Sequence, residues 1–136
     1  MTASHIVRHH APAGVLEAPG YSNVVVADGR LVVVAGQVAR DAKGNLVGAG
    51  DFQAQAAQVF ENLRLCLEHV GASFLDVVKL NYYVTDIANL PLLREARRAA
   101  IPDEHRPAST AVQVAALFEP DYLLEIEALA VIPADR

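Results

Sequence analysis

The chain has 136 residues, of which 53% are apolar and 20% charged, and 16 acidic against 11 basic side chains give it a formal charge of −5. One domain's worth of sequence with this much apolar material excludes a disordered chain and needs no linker. The lone cysteine, Cys66, excludes an intramolecular disulfide and a zinc site built on cysteine pairs, and a chain whose only basic cluster is Arg94, Arg97 and Arg98 lacks the electrostatic footprint of a nucleic-acid binder.

Residues 1–20 carry His5, His9 and His10 among Pro12, Gly14, Pro19 and Gly20, with little periodicity; an N-terminal arm or edge strand leading to Tyr21 is expected. No basic segment followed by a long apolar run is present, so the chain is expected to be cytoplasmic and to have no membrane partner. Two β-rich runs follow, Val24-Val25-Val26 and Leu31-Val32-Val33-Val34, divided by Ala27-Asp28-Gly29. Asp-Gly between valine runs predicts a hairpin, and unbroken valines predict strands covered on both faces. Gly36 marks a bulge or a close backbone approach, and a turn at Asp41-Ala42-Lys43-Gly44-Asn45 goes with a further short strand.

Asp51 is placed to cap a helix in which Phe52, Ala56, Val59, Leu63, Leu67 and Val70 form one apolar stripe, with Gly71 as the stop. Cys66 falls in that stretch and reads as a small buried hydrophobe. Ser73-Phe74-Leu75-Asp76 has the form of a capping motif for a single turn. In Val77–Thr85 the residues Val78, Leu80, Tyr82 and Val84 alternate with polar ones, which predicts a half-buried strand. Asp86 caps a second helix to about Ala100, with Leu90, Leu93, Ala96 or Arg97, and Ala100 inside, Arg94 and Arg98 outside, and Pro102 at its end. Strands are expected from Pro107 to Val114 and from Leu123 to Ile132, the latter with Leu124, Ile126, Ala128 and Ala130 on one face. The order β, β, short β, helix, β, helix, β, β, with both helices on one face of a small sheet, makes a single α+β sandwich domain over residues 1–136.

Glu125 and Glu127 project from one face of the last strand. They read either as a proton-transfer pair, in which repulsion raises the pKa of one, or as a solvated strand face. Tyr21 reads as a packing residue with its hydroxyl at a rim. Ser109 has no adjacent base, so it reads as a strand residue bonded to its surroundings rather than a nucleophile. The three histidines lack a carboxylate and a fixed frame for a metal. No phosphate loop or zinc-protease motif occurs, and neither metal nor cofactor is expected.

Three segments, Ala35-Gly36-Gln37, Pro107-Ala108-Ser109-Thr110-Ala111-Val112 and Glu125-Ile126-Glu127, resemble in kind and order the signature blocks of the Rid family of reactive-intermediate deaminases, also called the YjgF family. The resemblance runs from Tyr21 to Val131 and takes in Asn62, the Val78-Lys79 to Thr85-Asp86 strand and the Pro107-Ala108 pair. It implies a chorismate-mutase-like homotrimer with a ligand cleft at each subunit interface, and hydrolysis of enamine or imine intermediates to ammonia and a 2-keto acid. It also implies that Glu125 orients the attacking water, that Tyr21 lines the cleft, and that Gly36 shapes its backbone. Where deaminases of the family carry an arginine that grips the substrate carboxylate, this chain has Ser109. That departure leaves three readings: a changed enamine or imine substrate, binding rescued by Arg106, or a trimeric metabolite-binding protein without catalysis. Arg106 lies an odd number of residues from Ser109, which along an extended chain points it to the opposite face.

Overall fold

The computed structural model describes residues 5–136, and the first four residues of the N-terminal arm lie outside it. Strand β1 (Ile6–His9) pairs antiparallel with β2 (Val24–Ala27) in a two-stranded ribbon. The main sheet has four strands in the order β3-β6-β4-β5, with β3 at Arg30–Gln37, β4 at Val77–Val84, β5 at Ala108–Gln113 and β6 at Leu124–Ile132. Among the described strands only β4 and β5 run parallel, and the link between them carries helix α2 (Leu90–Ala100). Parallel neighbours need such a crossover. Helix α1 (Phe52–His69) packs on β3 and β6 and against α2, giving the α+β sandwich that the element order predicts. No helix among the described residues is long and apolar enough to cross a membrane.

The caps form where the sequence places them. The Asp51 carboxylate accepts from the Ala54 amide at 3.1 Å, and Ser73 and Asp76 make a reciprocal capping box around a single 3-10 turn at Phe74–Asp76. Asp86 caps a 3-10 turn at Ile87–Asn89 first, and α2 begins only at Leu90. The core lies between α1 and the sheet, where Ala56, Val59, Leu63 and Leu67 meet Leu80, Val84, Leu124 and Ile126. Strand β6 alternates buried and half-buried along its whole length, so its even-numbered residues face the helices and Glu125 and Glu127 face away.

Five expectations are corrected. The valine runs flanking Asp28-Gly29 do not pair with each other: β2 joins β1, and β3 joins β6. The glycine is needed for a different reason, since with φ at 143° it passes so close to the end of β6 that a Cβ would lie 2.0 Å from the Ile132 carbonyl oxygen. The expected short strand reduces to one bridge, Arg40 to Leu46, around a turn whose amides at Lys43 and Asn45 donate to Asp41. In β4 it is Val77 rather than Val78 that is buried, because the register with β6 slips between Val77 and Lys79. The valines are covered on one face only in the single chain, with Leu31 65% and Val33 68% exposed. Cys66 is half-buried on α1, beside the core rather than within it.

Candidate functional site

The outward face of the sheet brings Glu125, Glu127, Asn81 and Tyr83 together, because Tyr83 stands opposite Glu125 and Asn81 opposite Glu127 across the β4–β6 pair. Glu127 is fixed: its carboxylate accepts from the Tyr83 hydroxyl at 2.7 Å and from the Asn81 amide at 3.0 Å. That hydrogen bond, reinforced by burial and by the charges of Glu127 and Glu125, raises the Tyr83 pKa above its ordinary value. Glu125 makes no side-chain hydrogen bond to another described residue. It is held by shape instead. The β3–β6 register slips between Val34 and Gln37, and Gly36 in this bulge lies directly under the carboxylate, where a Cβ would come within 1.9 Å of Oε2. The sequence marks Gly36 as a bulge or a close backbone approach, and the backbone shows the two together. A carboxylate seated on bare backbone, with its lone pairs unclaimed, can hold a water or accept a proton.

Tyr21 and Ser109 lie elsewhere. Ser109 stands opposite Leu80 in the parallel β4–β5 register, and Ala111 opposite Tyr82, so both share the helix-facing side of the sheet at its β5 edge. A pocket of about 120 Å³ opens there, bordered by Tyr21, Tyr82, Ala111, Leu93, Arg94 and Arg97. Burial pushes the Tyr82 phenol up, partly opposed by the charge of Arg97. One chain therefore brings Gly36 to Glu125, but leaves Tyr21 and Ser109 on the other side of the sheet.

Arg106 does not reach into either place with a free guanidinium. It donates to the main-chain carbonyls of Tyr21 at 2.9 Å, Asp103 at 3.1 Å and Ala18 at 3.1 Å. Its own carbonyl accepts from the Ser22 hydroxyl at 2.6 Å, and the Ser22 amide donates to Pro107. These contacts staple residues 18–22 to the start of β5 and set Tyr21 beside the pocket. Of the histidines, His10 meets the Ser22 hydroxyl at 3.0 Å, and its pKa is lowered by burial and then by the Arg106 charge. His5 meets the Val131 carbonyl at 2.6 Å and Asp76 at 3.3 Å. No group of three or more potential metal ligands forms among the described residues.

Gln55 is the residue that the sequence reading passes over. Fully buried in the apolar stripe of α1, it donates to the carbonyls of Gly48 and Asp121 and accepts from the Leu123 amide, two residues before Glu125. A glutamine between Phe52 and Val59, on the inward face, was the available signal: a buried amide must have partners.

The described residues thus form a small α+β sandwich with Glu125, which has no side-chain partner among them, on the outer sheet face and a pocket bordered by Arg94 and Arg97 on the other. Residues 12–132 match the family described as Endoribonuclease L-PSP. A RutC family protein of Pyrococcus horikoshii is 37% identical over 81% of this chain and 85% of its own length, and one of Synechocystis sp. is 31% identical over 98% and 99%. Among solved structures, a protein of unknown function of the conserved Rid family from Yersinia pestis superposes with a TM-score of 0.84 at 36% identity, covering 94% of this chain and 99% of that one. RidA from an Antarctic Psychrobacter superposes with a TM-score of 0.70 at 35% identity over 92% and 94%. The chain belongs to this Rid, RutC or YjgF family.

Proposed function

We propose that the protein is a homotrimeric hydrolase of reactive enamines or imines, working in a cleft where the Glu125–Gly36 face of one subunit meets the Tyr21–Ser109 edge of the next. The observation that carries this is the placement of Glu125: an unpartnered carboxylate over a glycine, on the opposite side of the sheet from Tyr21 and Ser109. Two surfaces that cannot meet within one chain make a complete site only between chains, and the exposed Leu31 and Val33 supply apolar area for joining them.

In this reading Glu125 holds a water against the C=N carbon and takes one of its protons as the C–O bond forms. The nitrogen gains a proton, the C–N bond of the resulting carbinolamine breaks, and the oxygen loses its proton to leave a ketone and ammonia. An enamine enters the same sequence after protonation at carbon. Gly36 keeps the approach open, Tyr21 lines the cleft, and Arg106 acts through the chain it staples. Ser109 offers a hydroxyl where a guanidinium would grip a carboxylate in two places, so 2-aminoacrylate is a poor substrate here and the true one differs. RNA fits this chain badly, because the protein is acidic and two of its clustered arginines, Arg97 and Arg106, are tied to a carboxylate and to carbonyls, which leaves no clustered basic surface among the described residues to track phosphates.

The test is ammonia release from a panel of imines generated in situ, with 2-aminoacrylate among them, by wild type and by Glu125→Gln. The amide keeps the shape and loses the basicity, so turnover should fall by ~10²-fold or more while the melting temperature stays close to wild type. Turnover unchanged in the variant would remove Glu125 from the chemistry. Ligand binding without product from any imine would favour the second reading, a trimeric metabolite-binding protein, for which the absent cation at Ser109 speaks.

A further inference from the structure

In a chain of formal charge −5, Arg94 and Arg97 line the pocket beside Tyr21, Arg106 donates to the Tyr21 carbonyl, and Arg98 shares the Asp103 carboxylate with Arg97. They differ in what holds them. Arg97 is buried and donates to the carbonyls of Ile101 at 2.8 Å and Gly20 at 3.3 Å and to the Asp103 carboxylate at 2.8 Å. Arg98 lies 3.4 Å from that same carboxylate. Arg106 is taken up by three carbonyls. Arg94 lines the pocket from α2, is exposed, and makes no side-chain hydrogen bond or ion pair with any described residue.

The remaining walls suit the organic part of a ligand. Leu90 and Leu93 are apolar, Ala111 is small, and the two tyrosines present rings. An entering carboxylate would meet a guanidinium free to turn toward it, with the fixed charge of Arg97 behind, a charge that Asp103 balances only from a half-exposed position. The pocket touches Ala111, not Ser109. Two residues of extended chain separate these by about 7 Å.

We infer that Arg94 is the anion anchor of this cleft, binding the acid group of a carboxylate-bearing ligand from helix α2. The inference rests on the cleft reading above and adds a substrate class: an acid whose carboxylate is set apart from the reacting carbon, rather than attached to it. Arg94 is a binding residue here, remote from the bond changes.

The probes are 4-oxopentanoate, a ketone with its acid group two methylenes away, and its neutral methyl ester, titrated into the full-length protein by calorimetry. Wild type should bind the acid at least about tenfold more tightly than the ester, the scale of a charge-assisted contact. Arg94→Gln should bring the acid down to the ester's affinity, and Arg94→Lys should recover part of the difference. Arg94 is exposed, so circular dichroism should show all variants folded. An acid affinity unchanged by Arg94→Gln, equal affinities for acid and ester, or no acid binding by wild type would each overturn the anchor. Failure of the hydrolase reading shows itself separately: no ammonia from any imine, while acid binding still depends on Arg94.

Discussion

Gly36 and Glu125 form a pair in which the residue without a side chain decides where the other's carboxylate sits. A methyl group at Gly36 would overlap Oε2, yet what it meets is the far end of a flexible side chain, which can swing aside. Gly36→Ala should therefore fold, with a melting temperature near wild type, and, if Glu125 is the base of the proposed hydrolysis, lose turnover by ~10-fold or more as its carboxylate is displaced. Kinetics and calorimetry on the same preparation would check this, and a turnover loss that simply tracks a loss of stability would point to a structural glycine. The placement of both was legible in the sequence, Gly36 as a bulge or close approach after a valine run and Glu125 on one face of the last strand with Glu127. The free state of Arg94 was not, since helical periodicity places it outside without revealing that its neighbours Arg97 and Arg106 are already spoken for.

At the scale of elements, the chain's own caps and stripes predicted α1, α2, β4 and β6 to within a few residues, because each rests on local chemistry: Asp51 on an amide, Ser73 with Asp76, apolar residues at helical or strand spacing. Pairing was less legible. Asp28-Gly29 reads as a hairpin turn, but what decides the partner of β3 is the long-range register with β6, which no local signal encodes. Gln55 shows how such distant parts are tied. Its amide satisfies the carbonyls of Gly48 and Asp121 and the amide of Leu123, so it sets the start of β6 and with it Glu125. Gln55→Leu keeps the volume and leaves those buried groups unpaired, at ~1–3 kcal/mol for each that water cannot reach. Denaturant unfolding should show a loss of at least ~2 kcal/mol, and a neutral result would mean that water replaces the amide. The cross-strand bond from Tyr83 to Glu127 adds a pH signature. Tyr83 has a raised pKa in the folded chain, so its contribution to stability is fully present below the ordinary tyrosine range near ~10 and is lost as pH rises through the raised value. Tyr83→Phe should flatten that alkaline limb of the stability profile.

The whole molecule turns on what covers the outer face of the sheet. Leu31 and Val33 stand exposed in the single chain beside half-buried Val131 and Leu129 on the neighbouring strand, while charged and polar groups occupy the same face further along. An apolar valine strand needs cover on both sides, and α1 and α2 are both on the other. The trimer reading assigns this patch to subunit contact, and Val33→Asp separates that reading from a monomer. In a monomer the side chain is already in water, and the substitution should change stability by no more than ~0.5 kcal/mol. In a trimer it puts a carboxylate into each apolar contact, replacing a valine whose burial is worth ~1.5 kcal/mol or more. Sedimentation at micromolar concentration should return about three protomers for the wild type and a single protomer for Val33→Asp, with helix and strand content retained. Turnover should vanish with assembly, because Glu125 would no longer face a neighbour's Tyr21. A wild type that sediments as a monomer, or a Val33→Asp variant that assembles and turns over normally, would remove the shared cleft.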